Sequence, residues 1–279
     1  MRRIPWKLKS LLFTAIDVFH ANSILYLAQK YFTRRSKRSF TRQIRRWHQH
    51  EAVIKKANAS PIIFEFGAGK DLAQNLFLSS LAGKQYLVDL NFMLDLDLCE
   101  SARVELVENS MLEDRGELSS VNDLLKYGIH YRAPADAAST DLADESIDVC
   151  ISTATLEHIP ELSICKILTE LYRIIKVGGL VSAVIDYSDH YSHTDSSISQ
   201  LNFLKYSEDT WARYNHRSHY QNRLRHDRYI ELFKENGFNL LQEELDFSDH
   251  EIPNDISRLF VHHDASWRAV ASHCVFVKK

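Results

Sequence analysis

From Pro61 onward the sequence alternates short, nearly unbroken apolar runs with amphipathic segments, and that alternation leaves few folds open. PIIFEF, KQYLVDL, the weaker GIHYRA, IDVCIST and GGLVSAVID are short and rich in Val and Ile, as strands buried on both faces of a parallel sheet are. Between them KDLAQNLFLSSLA, SARVELVENSMLE with ELSSVNDLLK, and PELSICKILTELYRIIK carry helical periodicity. RYIELFKENGF then reads as a helix ending at Gly237, and FNLLQEEL and SHCVFVKK as two closing strands. Strand alternating with helix predicts an α/β, doubly wound, mostly parallel seven-stranded sheet with helices on both faces. No internal repeat or low-complexity tract competes with that reading.

The first 56 residues behave differently. They hold 14 Lys or Arg against 2 acidic residues, whereas the remainder holds 20 against 35, so a net charge of −3 hides a strong asymmetry. Leu8, Leu11, Leu12, Ala15, Ile16, Phe19, Ile24, Leu25 and Leu27 recur at helical spacing, and RRSKRSFTRQIRRW follows. Residues 1–56 therefore read as a basic helical arm and 57–279 as the main domain. Such an arm would either lie on an anionic membrane surface, with Trp6, Phe13 and Phe19 entering the interface, or pack over the main domain with a solvated basic face. Asp17 and His20 interrupt the apolar stretch, which suits neither a signal peptide nor a membrane span. Nucleic acid as a partner is opposed by the acidic remainder. Cys99, Cys150, Cys165 and Cys274 show no CxxC spacing, which argues against a cysteine zinc site and a disulfide framework and points to the cytoplasm.

Chemistry enters with FEFGAGKDL. Gly67 and Gly69 allow a tight turn and a close backbone approach at the end of the first strand, in a chain with only eight glycines. Asp89 ends the second strand 20 residues after Gly69, the spacing at which a dinucleotide fold places its ribose-binding acid. Leu72, however, occupies the place of the third small residue that a pyrophosphate requires, which disfavours a nicotinamide-dependent oxidoreductase. An adenosine cofactor without phosphates needs no such approach and would still use Asp89 as a double acceptor for ribose hydroxyls.

Taken together, FEFGAGKDL, YLVDL, APADAASTDLADESIDVCISTATLEHIP and ELYRIIKVGGLVSAVID resemble the class I S-adenosylmethionine-dependent methyltransferases in order and spacing, over roughly residues 60–279. Asp71 departs from the family, many of whose members carry a glycine there. The resemblance implies a Rossmann-like fold and S-adenosyl-L-methionine as cofactor. It implies that Glu65 binds the methionyl ammonium, that Gly67, Ala68 and Gly69 wrap beneath it, and that Asp89 holds the ribose diol with Leu90 on adenine. Asp136 would accept from the adenine amino group, Ala137 would donate a backbone N–H to the ring, and Thr153 would contact the methionine portion.

In this architecture the acceptor lies above the carboxyl ends of the fourth and fifth strands, where LEHIP and IDYSDHYSHTD stand. Imidazoles titrate near neutrality, so His190, then His193 and His158, are the candidate proton acceptors for a hydroxyl, with Asp186 or Asp189 orienting them. Alternatively Asp186, Asp189 and His190 would gather a divalent cation such as Mg²⁺. Residues 187–225 are too long for a simple connection and read as a lid insertion, with Tyr191, Trp211, Tyr220, Asn222, Arg223 and Arg225 as candidate substrate contacts. Equally, Trp211, Tyr214 and Tyr220 would pack a small core of the lid's own. The segment DYSDHYSHTD with NFLKYSEDTW and QNRLR is also similar to bacterial methyltransferases of surface-glycan assembly. The expected function is methyl transfer to a hydroxyl of a polar small molecule or glycan, with a catalytically silent cofactor-binding module as the other class.

Overall fold

The computed structural model describes residues 4–18, 43–248, 253, 255–257, 260 and 265–279. In chain order, α1 (Trp6–Val18) and α2 (Ile44–Ile54) precede β1 (Ile62–Phe66), α3 (Ala73–Leu78), β2 (Lys84–Val88), α4 (Leu96–Glu108), β3 (Ile129–Arg132) and β4 (Ile147–Thr153). Then come α5 (Glu161–Ile174), β5 (Ile175–Asp186), the lid, α6 (His226–Glu235), β6 (Phe238–Phe247) and β7 (Ala269–Lys278). The strands form one seven-stranded sheet in the order β3-β2-β1-β4-β5-β7-β6, parallel except for β7, which runs antiparallel to both of its neighbours.

The continuous apolar runs follow from burial on both faces. Ile63, Val149 and Ile151 point toward Val53 and Ile54 of α2, while their neighbours Phe64 and Cys150 point toward α5 and α6. Leu72, Leu76 and Leu87 join Cys99, Ala102 and Leu106 of α4 in the adjoining part of the first face. Packing on both sides removes the polar alternation that a half-exposed strand would show.

Several boundaries differ from the sequence reading. β5 starts at Ile175, inside what reads as a helix, because Ile175 pairs with Ile147 before the register with β4 shifts around Gly178 and Gly179. α4 starts at Leu96, where Asp95 accepts a hydrogen bond from the Leu98 N–H, and residues 121–127 form a 3-10 helix. The arm is not one unit either. Trp47, His50, Val53 and Ile54 are buried, so α2 is part of the sheet domain and the boundary at 56/57 cuts through its packing. α1 instead rests on the lid, where Trp6 and Phe13 join Tyr191, Phe203, Leu204, Trp211 and Trp267 in a separate apolar cluster. Phe19, Ile24, Leu25, Leu27 and most of RRSKRSFTRQ lie outside the described residues.

Candidate functional site

At the carboxyl edge of the sheet the chain leaves β1 through the glycine turn. The Gly67 N–H donates to the Val88 carbonyl, tying the turn to the end of β2. Gly67 has φ +74° and Gly69 has φ +84°, in the left-handed region that other residues reach only with strain. Their surroundings differ. A Cβ on Gly67 would lie 2.3 Å from Thr155 Cγ2, whereas one on Gly69 would meet nothing within 4 Å, so the turn leaves an open cradle above Gly69. Leu72 is also left-handed, at φ +46°, with its side chain buried among α3 and α4. The helix that follows has only six residues, which leaves no extended helix N-terminus for a pyrophosphate.

Glu65 is buried below this turn, where its carboxylate accepts hydrogen bonds from Asn75 Nδ2 at 2.6 Å and Gln74 Nε2 at 3.2 Å. Burial pushes its carboxyl up to about 8, with the nearby Asp89 adding to the shift. An ammonium group in the cradle would oppose that shift. Asp89 accepts from the Tyr131 hydroxyl at 2.9 Å and from the Gly69 N–H at 3.3 Å, and burial raises its carboxyl as well. Tyr131, on β3, carries no motif that marks it in the sequence. Leu90 stands 69% exposed beside Asp89, free to cover a flat ring. Asp136 accepts from the Ala138 N–H at 2.9 Å and lines a cavity of about 590 Å³ against β2 and β3, and Ala137 is buried in the core next to it.

A buried polar chain runs beneath the site. The Gln74 amide bonds Glu65 and Thr153 Oγ1, Thr153 Oγ1 meets His50 Nε2 at 2.9 Å, and His50 Nδ1 meets Ser182 Oγ at 2.8 Å. His273 Nε2 ends the chain at 2.9 Å from Ser182. Thr153 thus uses its side chain to tie α2, α3 and β4 together. Burial lowers His50 to about 3, so it stands as a neutral imidazole and keeps two partners without a charge.

The other half of the site is a cluster of histidines. Ala154, at φ +49°, reverses the chain at the end of β4 and leads into a 3-10 turn, Leu156–His158, that carries Glu157 and His158 over the sheet edge. β5 delivers Asp186, and the tight loop behind it brings in His190 and His193. Ring centroids of His158 and His190 are 4.9 Å apart, as are those of His190 and His193, and His219 follows at 6.2 Å from His190. Asp186 Oδ2 lies 3.9 Å from Nε2 of both His190 and His193, while Oδ1 accepts from the Ser188 N–H and hydroxyl. His158 Nδ1 lies 2.8 Å from the Tyr220 carbonyl oxygen, an acceptor only, so Nδ1 carries the proton and Nε2 the lone pair. Burial lowers His190 and His219 to about 3 and lowers His193, although Asp186 pulls the two loop residues back. Glu157 is 2% exposed, neither of its carboxyl oxygens has a partner, and burial beside Asp186 raises it well above the usual range. In the sequence Glu157 is legible only as part of the Glu-His pair that ends the fourth strand, which as often closes a pocket structurally.

Asp189 does not join this cluster. Its carboxylate accepts from Asn202 Nδ2 at 2.9 Å and the Tyr191 N–H at 2.8 Å, which fixes the loop. Most of the nominated lid contacts are structural as well. Tyr191 and Trp211 are buried in the lid's apolar cluster. Arg223 donates to the carbonyls of Phe203 and Tyr206, and Arg225 to those of Trp267, Tyr187 and Ala269. Asn222 donates to the carbonyls of Leu156 and Ile159. The reason is common to all three: irregular chain leaves buried carbonyls that only side chains can satisfy. Tyr220 remains half-buried at the rim, its carbonyl holding His158.

Residues 93–183 match the family model described as a methyltransferase domain. No curated protein matches the chain. Among solved structures, geranyl diphosphate C-methyltransferase from Streptomyces coelicolor A3(2) superposes with a TM-score of 0.52 at 10% identity, over 85% of this chain and 79% of that one. A protein of Galdieria sulphuraria, described as a candidate sarcosine dimethylglycine methyltransferase, reaches 0.50 at 14% identity, over 86% of this chain and 85% of that one. These two likenesses are to the fold. The matched stretch runs from the loop after β2 into β5, about a third of the chain, and over that stretch the chain is similar to a methyltransferase domain, set in a seven-stranded sheet of the order β3-β2-β1-β4-β5-β7-β6.

Proposed function

We propose that the protein transfers a methyl group to a hydroxyl of a polar small molecule or glycan, with His158 taking the hydroxyl's proton. The observation that carries this reading is the fixed tautomer of His158: its Nδ1–H is spent on Tyr220, so its Nε2 lone pair is left for an acceptor at the sheet edge. S-adenosyl-L-methionine supplies the methyl. Glu65 and the Gly67–Gly69 turn hold its methionyl end with Ala68 beneath, Thr153 borders that end, Asp89 grips the ribose, and Leu90, Asp136 and Ala137 receive the adenine. What supports these roles is the open cradle at Gly69 and, below it, a buried carboxyl whose hydrogen-bond partners among the described residues are the neutral amides of Gln74 and Asn75. The remaining task is alignment and exclusion of water, which the lid, clamped by α1, performs.

The test is transfer of isotope-labelled methyl from the cofactor to a panel of sugars, oligosaccharides and phenols, read by mass spectrometry. Label on a hydroxyl is the expected result. If S-adenosylhomocysteine binds but no member of the panel is labelled, the silent cofactor-binding module becomes the better reading.

The glycan acceptor is proposed to be lipid-linked and met at the cytoplasmic face of a membrane. Supporting this, α1 spends one face on the lid and leaves Leu8, Leu11 and Leu12 exposed on the other, with Ile4 exposed just before it, in the most basic part of the chain. Among the described residues no helix is long and apolar enough to cross a membrane, so contact would be peripheral. The four cysteines stand as free thiols, as a reducing compartment allows. The intact protein should float with anionic vesicles, and Leu8→Glu/Leu12→Glu should stay behind with its fold intact, because both side chains already face water. Equal flotation of the two would remove the membrane from this reading.

A further inference from the structure

We propose that Asp186, His190 and His193 form a binding site for a late first-row divalent metal ion, zinc in the first instance, just beyond the carboxyl end of β5. Two imidazole nitrogens and one carboxylate oxygen converge within 4.8 Å of one another, with Asp186 Oδ2 3.9 Å from each nitrogen. Around a tetrahedral zinc, at about 2.0–2.1 Å per bond, neighbouring donors stand roughly 3.4 Å apart, so each Asp186–His pair would close by about half an ångström and the His190–His193 pair by at most about 1.4 Å.

A second observation points the same way. His190 Nε2 and both oxygens of the buried Glu157 have no hydrogen-bond partner. Glu157, His158 and His190 also bring donor atoms within 4.8 Å of one another. Unpartnered buried acceptors are costly, and a cation beside them offsets that cost. One support of a metal site is present: Asp186 Oδ1 is held by Ser188, whose Oγ also lies 3.1 Å from His193 Nε2, a bond the ion would replace, and the His190 backbone N–H donates to Gln221 Oε1 at 3.2 Å and fixes the loop. His193 is about half exposed, giving an ion an entry path.

The donor set selects the ion. Mg²⁺ requires oxygen ligands, and the carboxylate that would have supplied a second set, Asp189, is spent on Asn202 and Tyr191. A two-histidine, one-carboxylate set suits zinc, cobalt, nickel or ferrous iron, and three protein ligands leave a position for the acceptor oxygen. The lack of a CxxC pattern bears only on thiolate sites.

What the ion does rests on the hydroxyl-methylation reading; that it binds does not. Bound to the acceptor oxygen, it lowers that hydroxyl's pKa and the proton passes to His158 Nε2. The O–CH₃ bond then forms as the S–CH₃ bond breaks, and the sulfonium leaves as the neutral thioether.

The full chain, stripped with chelator, is titrated with Zn²⁺ and separately with Mg²⁺ by calorimetry, with S-adenosylhomocysteine binding measured alongside as the control for folding. One equivalent of zinc should bind at least 100-fold more tightly than Mg²⁺. His190→Ala/His193→Ala should lower zinc affinity at least 100-fold and still bind S-adenosylhomocysteine. Equal zinc binding by the protein and the double variant, or none by either, overturns the site. If zinc binds but no hydroxyl is ever methylated, the substrate reading fails and the ion site stands. If chelated, zinc-free protein methylates a hydroxyl at full rate, the substrate reading stands and the proposed use of the ion fails.

Discussion

His158→Ala should slow methyl transfer by about 10²- to 10⁴-fold while leaving S-adenosylhomocysteine affinity within about 2-fold, because a positioned base acts on the acceptor's proton and not on the cofactor. The substitution also removes the donor that holds the Tyr220 carbonyl, so a slower rate alone would not separate a base from a lid fastener. His158→Asn separates them. Its side-chain amide can still donate from about where Nδ1 stands, but it offers no basic nitrogen at the position of Nε2. Both variants should be slow to a similar degree if the lone pair is what matters. A rate near that of the parent for His158→Asn, measured at saturating cofactor, would reduce His158 to a positioning residue.

The strands were legible because their environment is uniform. Ile63 and Phe64, or Val149 and Cys150, face opposite helical layers yet are equally buried, and a short run with no polar alternation fits little besides a strand covered on both faces. The start of β5 was not legible, since helical periodicity runs through Lys176 and the strand reads from Gly178; the strand begins at Ile175 and shifts its register with β4 before Leu180, where it pairs with β7. α2 was hidden by its charge. RRWHQHE looks like a solvated arm, but His50 reaches Thr153 and Ser182 as a neutral, doubly bonded core histidine.

The site divides in the same way. Residues carried by strand ends, Glu65, Asp89, Asp186 and the glycine turn, could be placed because parallel sheets expose their carboxyl ends at one edge. Residues in the lid could not, because the same chemistry serves two purposes. The guanidinium groups of Arg223 and Arg225 suggested an anionic ligand, but what they meet is five backbone carbonyls and, for Arg223, the chain's own Glu208, a demand visible only once the chain is folded. Glu157 was legible only within its pair with His158 for the converse reason: nothing in its sequence says that its oxygens have no partner.

The two glycines of the turn should respond to alanine in opposite ways, and that contrast tests the cradle directly. Both have positive φ, so each substitution costs roughly 1–2 kcal/mol of backbone strain. At Gly69 nothing stands within 4 Å of the new Cβ, so Gly69→Ala should fold with only that loss while its methyl fills the space assigned to the methionyl end. Cofactor affinity should fall by more than 10-fold. At Gly67 the new carbon would sit 2.3 Å from Thr155 Cγ2 and 2.6 Å from its Oγ1, so overpacking adds about 1–3 kcal/mol to the strain and the fold itself suffers. Thermal unfolding and calorimetry with S-adenosylhomocysteine check both. Gly67→Ala should unfold several degrees below Gly69→Ala, and adding Thr155→Gly, which removes the colliding side chain, should recover much of the difference. If Gly69→Ala binds S-adenosylhomocysteine as tightly as the parent, the cofactor's methionyl end does not lie over that turn, and the role given to Glu65 falls with it.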